Sequence, residues 1–344
     1  MPALNPPRRL LFGPGPSQVE NRVYEAMSRP LVGYLDPFLF QVFDDVRNGL
    51  RAVFGTQNPC TLVIPGTGSA GMETAVTNFV DPGAKLAIFV NGFFCERIAE
   101  MGRRHGAQVV AFVHGETSTG AMQAAEAITR PAHEVGALVI ADCVTTLGSV
   151  PIRVDETGID IAYSCTQKGL SAPPGLSPFT VSPRAVERLN ARTTPNSIWY
   201  LDLKLLMDYY DGKKYHHTSP VSTFYALREA LAAIQEEGVE QRFARHLKAH
   251  ESFVKRIEGL GLKMHVAAGH RLTTLNTPRV PEGVDEARVR KQLLDEYGIE
   301  VAGGFGPLAG KIFRIGVMGP LATEPNLDLF FEAFGKCLTV RATA

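Results

Sequence analysis

Three short stretches of this 344-residue chain put reactive side chains where chemistry could be done. The first is Ser164-Cys165-Thr166-Gln167-Lys168-Gly169-Leu170-Ser171-Ala172-Pro173-Pro174-Gly175, a single lysine ringed by small hydroxyl and amide side chains. Its two prolines and closing glycine forbid a regular helix and force a shaped loop. Residues 158–163 before it read as a short strand of a buried sheet, so Lys168 sits on a strand-end loop. A lysine there suits imine formation with a carbonyl; a structural or exposed lysine is the plainer alternative. The second stretch, Gly66-Thr67-Gly68-Ser69, opens a helix after a strand over 61–64. Its backbone N–H groups and the helix dipole would face outward together as a phosphate cradle, or it is simply a tight turn. It is neither a P-loop nor the spaced glycines of a dinucleotide fold. The third is Asp142, ending an apolar strand over 137–142, where a carboxylate is costly unless paired. It either caps the following segment or partners a buried cationic nitrogen.

The elements that must position these groups alternate strand and helix from residue 61 to Lys168. That pattern implies an α/β fold with a mostly parallel sheet, right-handed crossovers and helices flanking the sheet. In such sheets ligands collect at the carboxyl ends of strands, where all three stretches fall. Helices are expected over 17–30, from about Phe40 to Val53, from Ser69 to Asp81, from Asn91 to about His105 and on to about Glu134. Strands are expected over 85–90 and 108–114. Long helices over 221–238 and 239–259 lead into a smaller α+β unit. Its expected parts are strands at 263–266, 272–277 and 313–317, with helices at 285–297 and 325–338. The domains are therefore an N-terminal arm (1–16), a large domain (17–238) and a small C-terminal domain (239–344). The proline-rich arm cannot be helical, and either packs on a partner subunit or frays.

Composition removes several classes of function. Apolar residues make up 45%, ordinary for a soluble globular protein, and Lys plus Arg equals Asp plus Glu at 35 each. No charge field exists to attract nucleic acid or an anionic membrane, and no apolar run is long enough to span a bilayer. The N-terminal residues lack the apolar core of a signal peptide, and the last four match no peroxisomal or retention signal. Five scattered cysteines without a Cys-x-x-Cys pair fit reduced thiols in a cytoplasm, not a disulfide framework or a zinc site. His216-His217 is no metal site either, because adjacent histidines point apart with no further ligand at ligand spacing.

An imine-forming lysine, a phosphate cradle and a buried acid at neighbouring strand ends together suggest pyridoxal phosphate. The sequence resembles the class V aminotransferases of fold-type I, most closely the alanine–glyoxylate / serine–glyoxylate (serine–pyruvate) group. The matching pieces are Phe12-Gly13-Pro14-Gly15-Pro16, Gly66-Thr67-Gly68-Ser69, His114-Gly115-Glu116-Thr117-Ser118-Thr119-Gly120, Asp142-Cys143-Val144, the Lys168 loop, Tyr215-His216-His217-Thr218 and Phe313-Arg314-Ile315-Gly316. They run in family order over almost the whole chain.

The resemblance implies that Lys168 carries the cofactor as an imine, Asp142 holds the ring nitrogen protonated, and the larger unit is a pyridoxal-phosphate transferase domain. Val144 would pack on one ring face and Phe94, standing where the family has tryptophan, would stack on the other. Thr117 would lie near the ring hydroxyl. Thr67, Gly68, Ser69 and Gln167 would be phosphate and cofactor ligands, joined by Tyr215 and Thr218 of a second subunit in a homodimer. Arg314 would clamp the substrate carboxylate, and Tyr34 would help select the substrate. A structural salt bridge for Arg314 and a plain core role for Phe94 are the competing readings.

The implied reaction moves an amino group from a small amino acid, alanine or serine, to a 2-oxo acid, glyoxylate or pyruvate, with ping-pong kinetics. Ureidoglycine–glyoxylate transamination is the alternative within the family, and a lyase or desulfurase is a further one on the same fold. One departure stands out. Family members carry about a helix with its turns where Val110 here runs straight into Ala111. A parallel sheet needs a crossover, so the expectation is that residues are missing at this point.

Overall fold

The computed structural model describes residues 1–81, 83, 85, 87–105 and 110–339. The chain opens with an arm carrying the two-residue strand β1 (Leu10–Leu11), followed by helices α1 (Asn21–Met27) and α2 (Pro37–Phe54). Helix α1 is shorter than the expected 17–30, because Glu20 is still extended at φ −75°, ψ 150°. The start of α2 is set locally. Asp36 accepts a hydrogen bond from the Phe38 N–H at 2.8 Å, and proline occupies the first turn. Gly55 ends the helix in the left-handed region at φ 66°. The apolar face of α2, including Phe40, Phe43, Val46, Leu50 and Val53, is buried at the spacing the sequence implies.

The large sheet is built from β2 (Cys60–Pro65), β3 (Ala87–Phe89), β4 (Val110–Val113), β7 (Val139–Asp142), β8 (Ile161–Tyr163) and β9 (Leu176–Val181). Between them lie α3 (Gly68–Phe79), α4 (Phe93–Arg104), the short pair β5 (Gly115–Glu116) and β6 (Ala121–Met122), α5 (Glu126–Glu134) and α6 (Val154–Thr157). The spatial order is β2-β9-β8-β7-β4-β3. Only β9 runs against the rest, pairing antiparallel with both β2 and β8. Strands β2, β7, β8 and β9 are buried throughout, which is why they read as continuous apolar runs. Register aligns Val113 with Asp142 and Asp142 with Tyr163, so three strand ends meet in one row.

The expectation of missing residues falls on the connection into β4, where residues 106–109 lie outside the described residues. Strands β3 and β4 are parallel neighbours joined through α4, and α5 lies between β4 and β7. The expected strand over 108–114 is seen as β4, while Gln108 and Val109 lie outside the described residues. Strand β3 forms the edge, with Phe89 and Val90 exposed.

Helices α7 (Pro183–Ala191) and α8 (Leu203–Tyr210) follow β9; none of these three is among the expected elements. Helices α9 (Val221–Glu237) and α10 (Val239–Gly259) meet at Gly238, which adopts φ 88°. Beyond them come β10 (Leu275–Asn276), α11 (Glu286–Tyr297), β11 (Ile299–Glu300), β12 (Ala302–Gly303), β13 (Phe313–Gly316) and α12 (Glu324–Thr339). The expected strands at 263–266 and 272–277 reduce to β10 and an isolated Met264–Pro278 bridge. Buried apolar residues form one cluster around α2, the large sheet and α9, and another around Phe253, Phe313, Phe330 and Phe334. Among the described residues no helix is long and apolar enough to cross a membrane.

From Leu10 onward the arm is neither frayed nor free. Strand β1 pairs in parallel with β11, and Phe12 is wholly buried in the second cluster. The Gly316 N–H donates to the Phe12 carbonyl at 2.7 Å. Five residues on, the Ser17 hydroxyl donates to the Lys168 carbonyl at 2.6 Å, and its N–H to the Gln167 carbonyl at 2.9 Å. One strap therefore ties β13 to the lysine loop.

Candidate active site

At the carboxyl ends of β4, β7 and β8 lies a cavity of about 180 Å³. Nine of the residues singled out in the sequence line it: Thr67, Gly68, Ser69, Phe94, Thr117, Asp142, Val144, Gln167 and Lys168. Arg314, Tyr34, Tyr215 and Thr218 do not.

Asp142 ends β7 with both carboxylate oxygens engaged. Oδ1 accepts from the Val144 N–H at 2.9 Å, and Oδ2 accepts from the Tyr163 hydroxyl at 2.8 Å. Burial nevertheless pushes its pKa up to about 6, against the pull of these two hydrogen bonds. Both donors to Asp142 are neutral groups, and Lys168 acts on it from beyond hydrogen-bond distance. Lys168 donates its Nζ proton to the Pro14 carbonyl, and burial holds its ammonium pKa below the usual lysine value. The strap passes so close that only glycine fits at Gly15, which adopts φ 130°; a Cβ there would collide with the Lys168 side chain.

Across the cavity, α3 begins at Thr67, whose side chain makes no capping hydrogen bond. The Ala70 N–H already donates to the Thr67 carbonyl at 2.8 Å, so the N–H groups left without an intrahelical partner are those of Gly68 and Ser69, both of which line the same cavity. Gly68 is needed for close approach, since a Cβ would sit 3.0 Å from Val144 Cγ2. Gln167 has its side-chain oxygen buried without a partner. An amide can present either its oxygen or its nitrogen by rotation, so this is an open site for a ligand hydrogen bond.

Phe94 is placed through the backbone of α4. Glu116, wholly buried, accepts from the Phe94 N–H at 3.0 Å and from the Ser118 N–H at 2.9 Å. The Ser118 hydroxyl accepts from the Phe93 N–H at 3.0 Å. Sequence reasoning missed Glu116 as a helix cap, because it comes from a different element than the helix it caps. It also missed Arg97, whose guanidinium lies 5.0 Å from the Phe94 ring centre at the cavity wall. Tyr163 was missed as well, although the pairing of β7 with β8 puts it opposite Asp142.

Arg314 lies on β13, 4% exposed, beside the cavity residue Thr117. Its Nε donates to the Gly303 carbonyl at 2.5 Å, and its Nη1 to the Thr117 carbonyl at 3.4 Å. Its guanidinium carbon is 3.8 Å from the centre of the Phe305 ring. No carboxylate pairs with it among the described residues, so the salt-bridge reading falls away. Burial brings its pKa down to about 10. A buried cation without an anion is costly, and a ligand carboxylate would relieve that cost.

Tyr34, Tyr215 and Thr218 form a separate, exposed group. The Tyr34 and Tyr215 rings lie 6.3 Å apart, and the Tyr215 and Thr218 hydroxyls are 3.1 Å apart. Tyr215 is 54% exposed, in keeping with the expectation that it would reach the cofactor of a second subunit rather than its own.

Pyridoxal phosphate fits the residues that are present. The open helix N-terminus suits an anion, the unpartnered Gln167 amide suits a polar substituent, and the buried Asp142 carboxylate suits a protonated ring nitrogen.

Comparison with known proteins agrees. Residues 84–312 match the aminotransferase class-V family. The chain is 37% identical to the alanine–glyoxylate aminotransferase of Callithrix jacchus, over 97% of this chain and 89% of that protein. The crystal structure of an alanine–glyoxylate aminotransferase from Nostoc sp. superposes with a TM-score of 0.95 at 42% identity, covering 98% of this chain and 97% of the other. The ureidoglycine–glyoxylate aminotransferase of Bacillus subtilis superposes with a TM-score of 0.95 at 34% identity, covering 97% and 94%. The chain belongs to the class-V aminotransferase family, whose members work with pyridoxal phosphate.

Proposed function

We propose that this protein moves the amino group of alanine or serine to glyoxylate or pyruvate, in two half-reactions at a site centred on Lys168. The observation that carries the reading is the meeting of Lys168, Asp142 and the α3 N-terminus in one cavity, with the unpaired Arg314 beside it. The relatives named for alanine and glyoxylate support the choice of substrates.

Bound in this cavity, pyridoxal phosphate supplies a carbonyl that accepts an amino group and a ring that withdraws electrons from the substrate Cα. In this reading Asp142 keeps a proton on the ring nitrogen, and its fixed orientation avoids reorganisation during the reaction. Val144 and Phe94 hold the ring between them. Thr67, Gly68, Ser69 and Gln167 bind the phosphate and polar edge, and Thr117 lies on the hydroxyl side. Arg314 orients the substrate by its carboxylate through the planar guanidinium fork. Lys168 takes the proton from the substrate Cα and returns it; its depressed pKa leaves more of the amine in the neutral, accepting form at neutral pH. Pro14 and Ser17 keep the lysine loop from swinging away.

The substrate side is completed by a second copy of the chain, which brings Tyr215 and Thr218 to the cofactor, while Tyr34 discriminates among substrates. The homodimer follows from this reading. We further assign the arm to residues 1–16, the large domain to 17–238 and the small domain to 239–344, and place the protein in the cytoplasm. Five buried, unpaired cysteines fit a reducing compartment.

The test is a panel of amino acids mixed one at a time with the purified holoenzyme, before any acceptor is added. The 2-oxo acid released is measured. The reading expects about one equivalent from alanine or serine, then regeneration by glyoxylate. Release from ureidoglycine alone would redirect the donor assignment. Ammonia or sulfur released from cysteine would replace it with the lyase reading.

A further inference from the structure

We propose that Tyr163 is a positioning residue for the reaction: its hydroxyl, held by β8 against Asp142 Oδ2 at 2.8 Å, fixes that carboxylate and keeps it ionised to receive the ring nitrogen. The proposal rests on the assignment of Asp142 given above and adds a second residue behind it.

The geometry comes from the sheet. Asp142 and Tyr163 are register partners on parallel neighbours, so their side chains rise on the same face. Tyr163 is wholly buried beneath α3, where Gly71 makes room for it; a Cβ at Gly71 would lie 3.1 Å from the Tyr163 Cβ. The ring therefore cannot turn aside, and its hydroxyl is delivered to one oxygen while the Val144 N–H holds the other. Two neutral donors on opposite oxygens set the plane of the carboxylate without neutralising it. That leaves the charge for the ligand nitrogen, which a lysine or arginine in the place of Tyr163 would have consumed.

Electrostatics agree with this role. Burial drives Asp142 toward the neutral form, to about 6, and the Tyr163 hydroxyl pulls the other way. Burial also pushes Tyr163 itself far above the usual tyrosine range, so it keeps its proton and remains a donor. The other ionisable groups facing Asp142 come from every neighbouring element. Glu116 on β5 raises its pKa, and Lys168 in the loop after β8 lowers it. The thiols of Cys95, Cys143 and Cys165 are pushed up by burial and stay neutral. His114, next to β4, is pushed down to about 4 and also stays neutral above that pH.

The sign follows directly. Losing a donor to the charged form raises the Asp142 pKa, so the ionised carboxylate appears at higher pH. The test measures the dissociation constant of pyridoxal phosphate by equilibrium dialysis from pH 5.5 to 9 (about the range that brackets the Asp142 titration). Three variants are compared with the wild type: Tyr163→Phe, Asp142→Asn and the control Tyr210→Phe. Tyr210 is a buried tyrosine that hydrogen-bonds only to the Val63 backbone. The proposal expects Tyr163→Phe to weaken binding about tenfold or more near pH 6.5, with recovery toward the wild-type value at high pH. Tyr210→Phe should leave the curve in place.

A loss that is equal at every pH would make Tyr163 merely structural and overturn the proposal. A Tyr163→Phe curve that overlies the wild type would also overturn it, while leaving Asp142 in its role if Asp142→Asn abolishes the pH dependence. An unchanged curve in Asp142→Asn would instead bring down the assignment of Asp142. If Tyr163→Phe does not fold, 3-fluorotyrosine at position 163, nearly isosteric and a stronger donor, should shift the curve to lower pH. No shift, or an upward one, would refute the role.

Discussion

The two regions proposed to wall the site are built differently. On the cofactor side, Asp142 has both oxygens bonded, Phe94 is fixed through Glu116, and the Lys168 loop is tied down by Ser17. On the side proposed to face a second subunit, Tyr34 and Tyr215 are exposed, and among the described residues they meet each other, Thr218 and Tyr209. A wall finished inside one chain can be preorganised by the sheet. A wall left open in one chain needs something else to close it, and a second subunit is the proposed closure. In the proposed reading, cofactor chemistry and substrate choice depend on different parts of the molecule.

Substitutions can break this contrast in graded steps. Lys168→Ala should have the largest effect, cutting kcat by roughly a hundredfold to ten-thousandfold, because it removes the group that moves the Cα proton. Single-turnover release of 2-oxo acid measures it. Asp142→Asn keeps the shape of the closed wall but removes its charge, and should lower kcat by about a hundredfold while weakening cofactor retention on dialysis. Arg314→Ala stands between the walls. It should raise KM far more than it lowers kcat, with kcat/KM falling on the order of a hundredfold, and Arg314→Lys should not rescue it because the planar fork is lost.

The smallest effect is expected on the open wall. Tyr215→Phe removes one hydroxyl and should cost only about twofold to tenfold in cofactor affinity. Its measurement is more informative in mixtures. Combining Tyr215→Phe chains with Lys168→Ala chains should give hybrid dimers with one intact site, and thus more activity than either parent mixture predicts. No gain on mixing would mean that each chain builds its whole site.

Much of the closed wall was legible in the sequence because each part has a local cause. Gly66-Thr67-Gly68-Ser69 is a turn that only a helix start explains, Asp142 ends an apolar strand, and two prolines and a glycine shape the loop after Lys168. The residues that hold these groups were hidden. Glu116 caps a helix from a different element, Tyr163 meets Asp142 only through strand register, and Ser17 reaches the lysine loop across 151 positions of sequence. Long-range pairing of this kind leaves no periodicity to read. The strands over 263–266 and 272–277 misled for the opposite reason: Met264 packs beside the second cluster and Leu272 and Leu275 pack with Val150, but of these residues only Leu275 and Asn276 form a regular ladder.

The connection at Val110 belongs to the same lesson. The alignment with the Callithrix jacchus protein spans 367 positions, more than the 344 residues of this chain, so relatives carry residues that it lacks. Strands β3 and β4 pair in parallel, with α4 between them in the sequence. An intact mass of 37.4 kDa is the expected result for this arrangement. A heavier protein would support the missing-segment reading.

The central claim is that one lysine, on the loop after β8, holds the cofactor. Reducing the holoenzyme with borohydride fixes pyridoxal phosphate covalently to the lysine that binds it, and peptide mapping by mass spectrometry locates the label. The account predicts a single modified peptide carrying the label on Lys168. A label on any other lysine, or none on a protein that still transaminates, would contradict it.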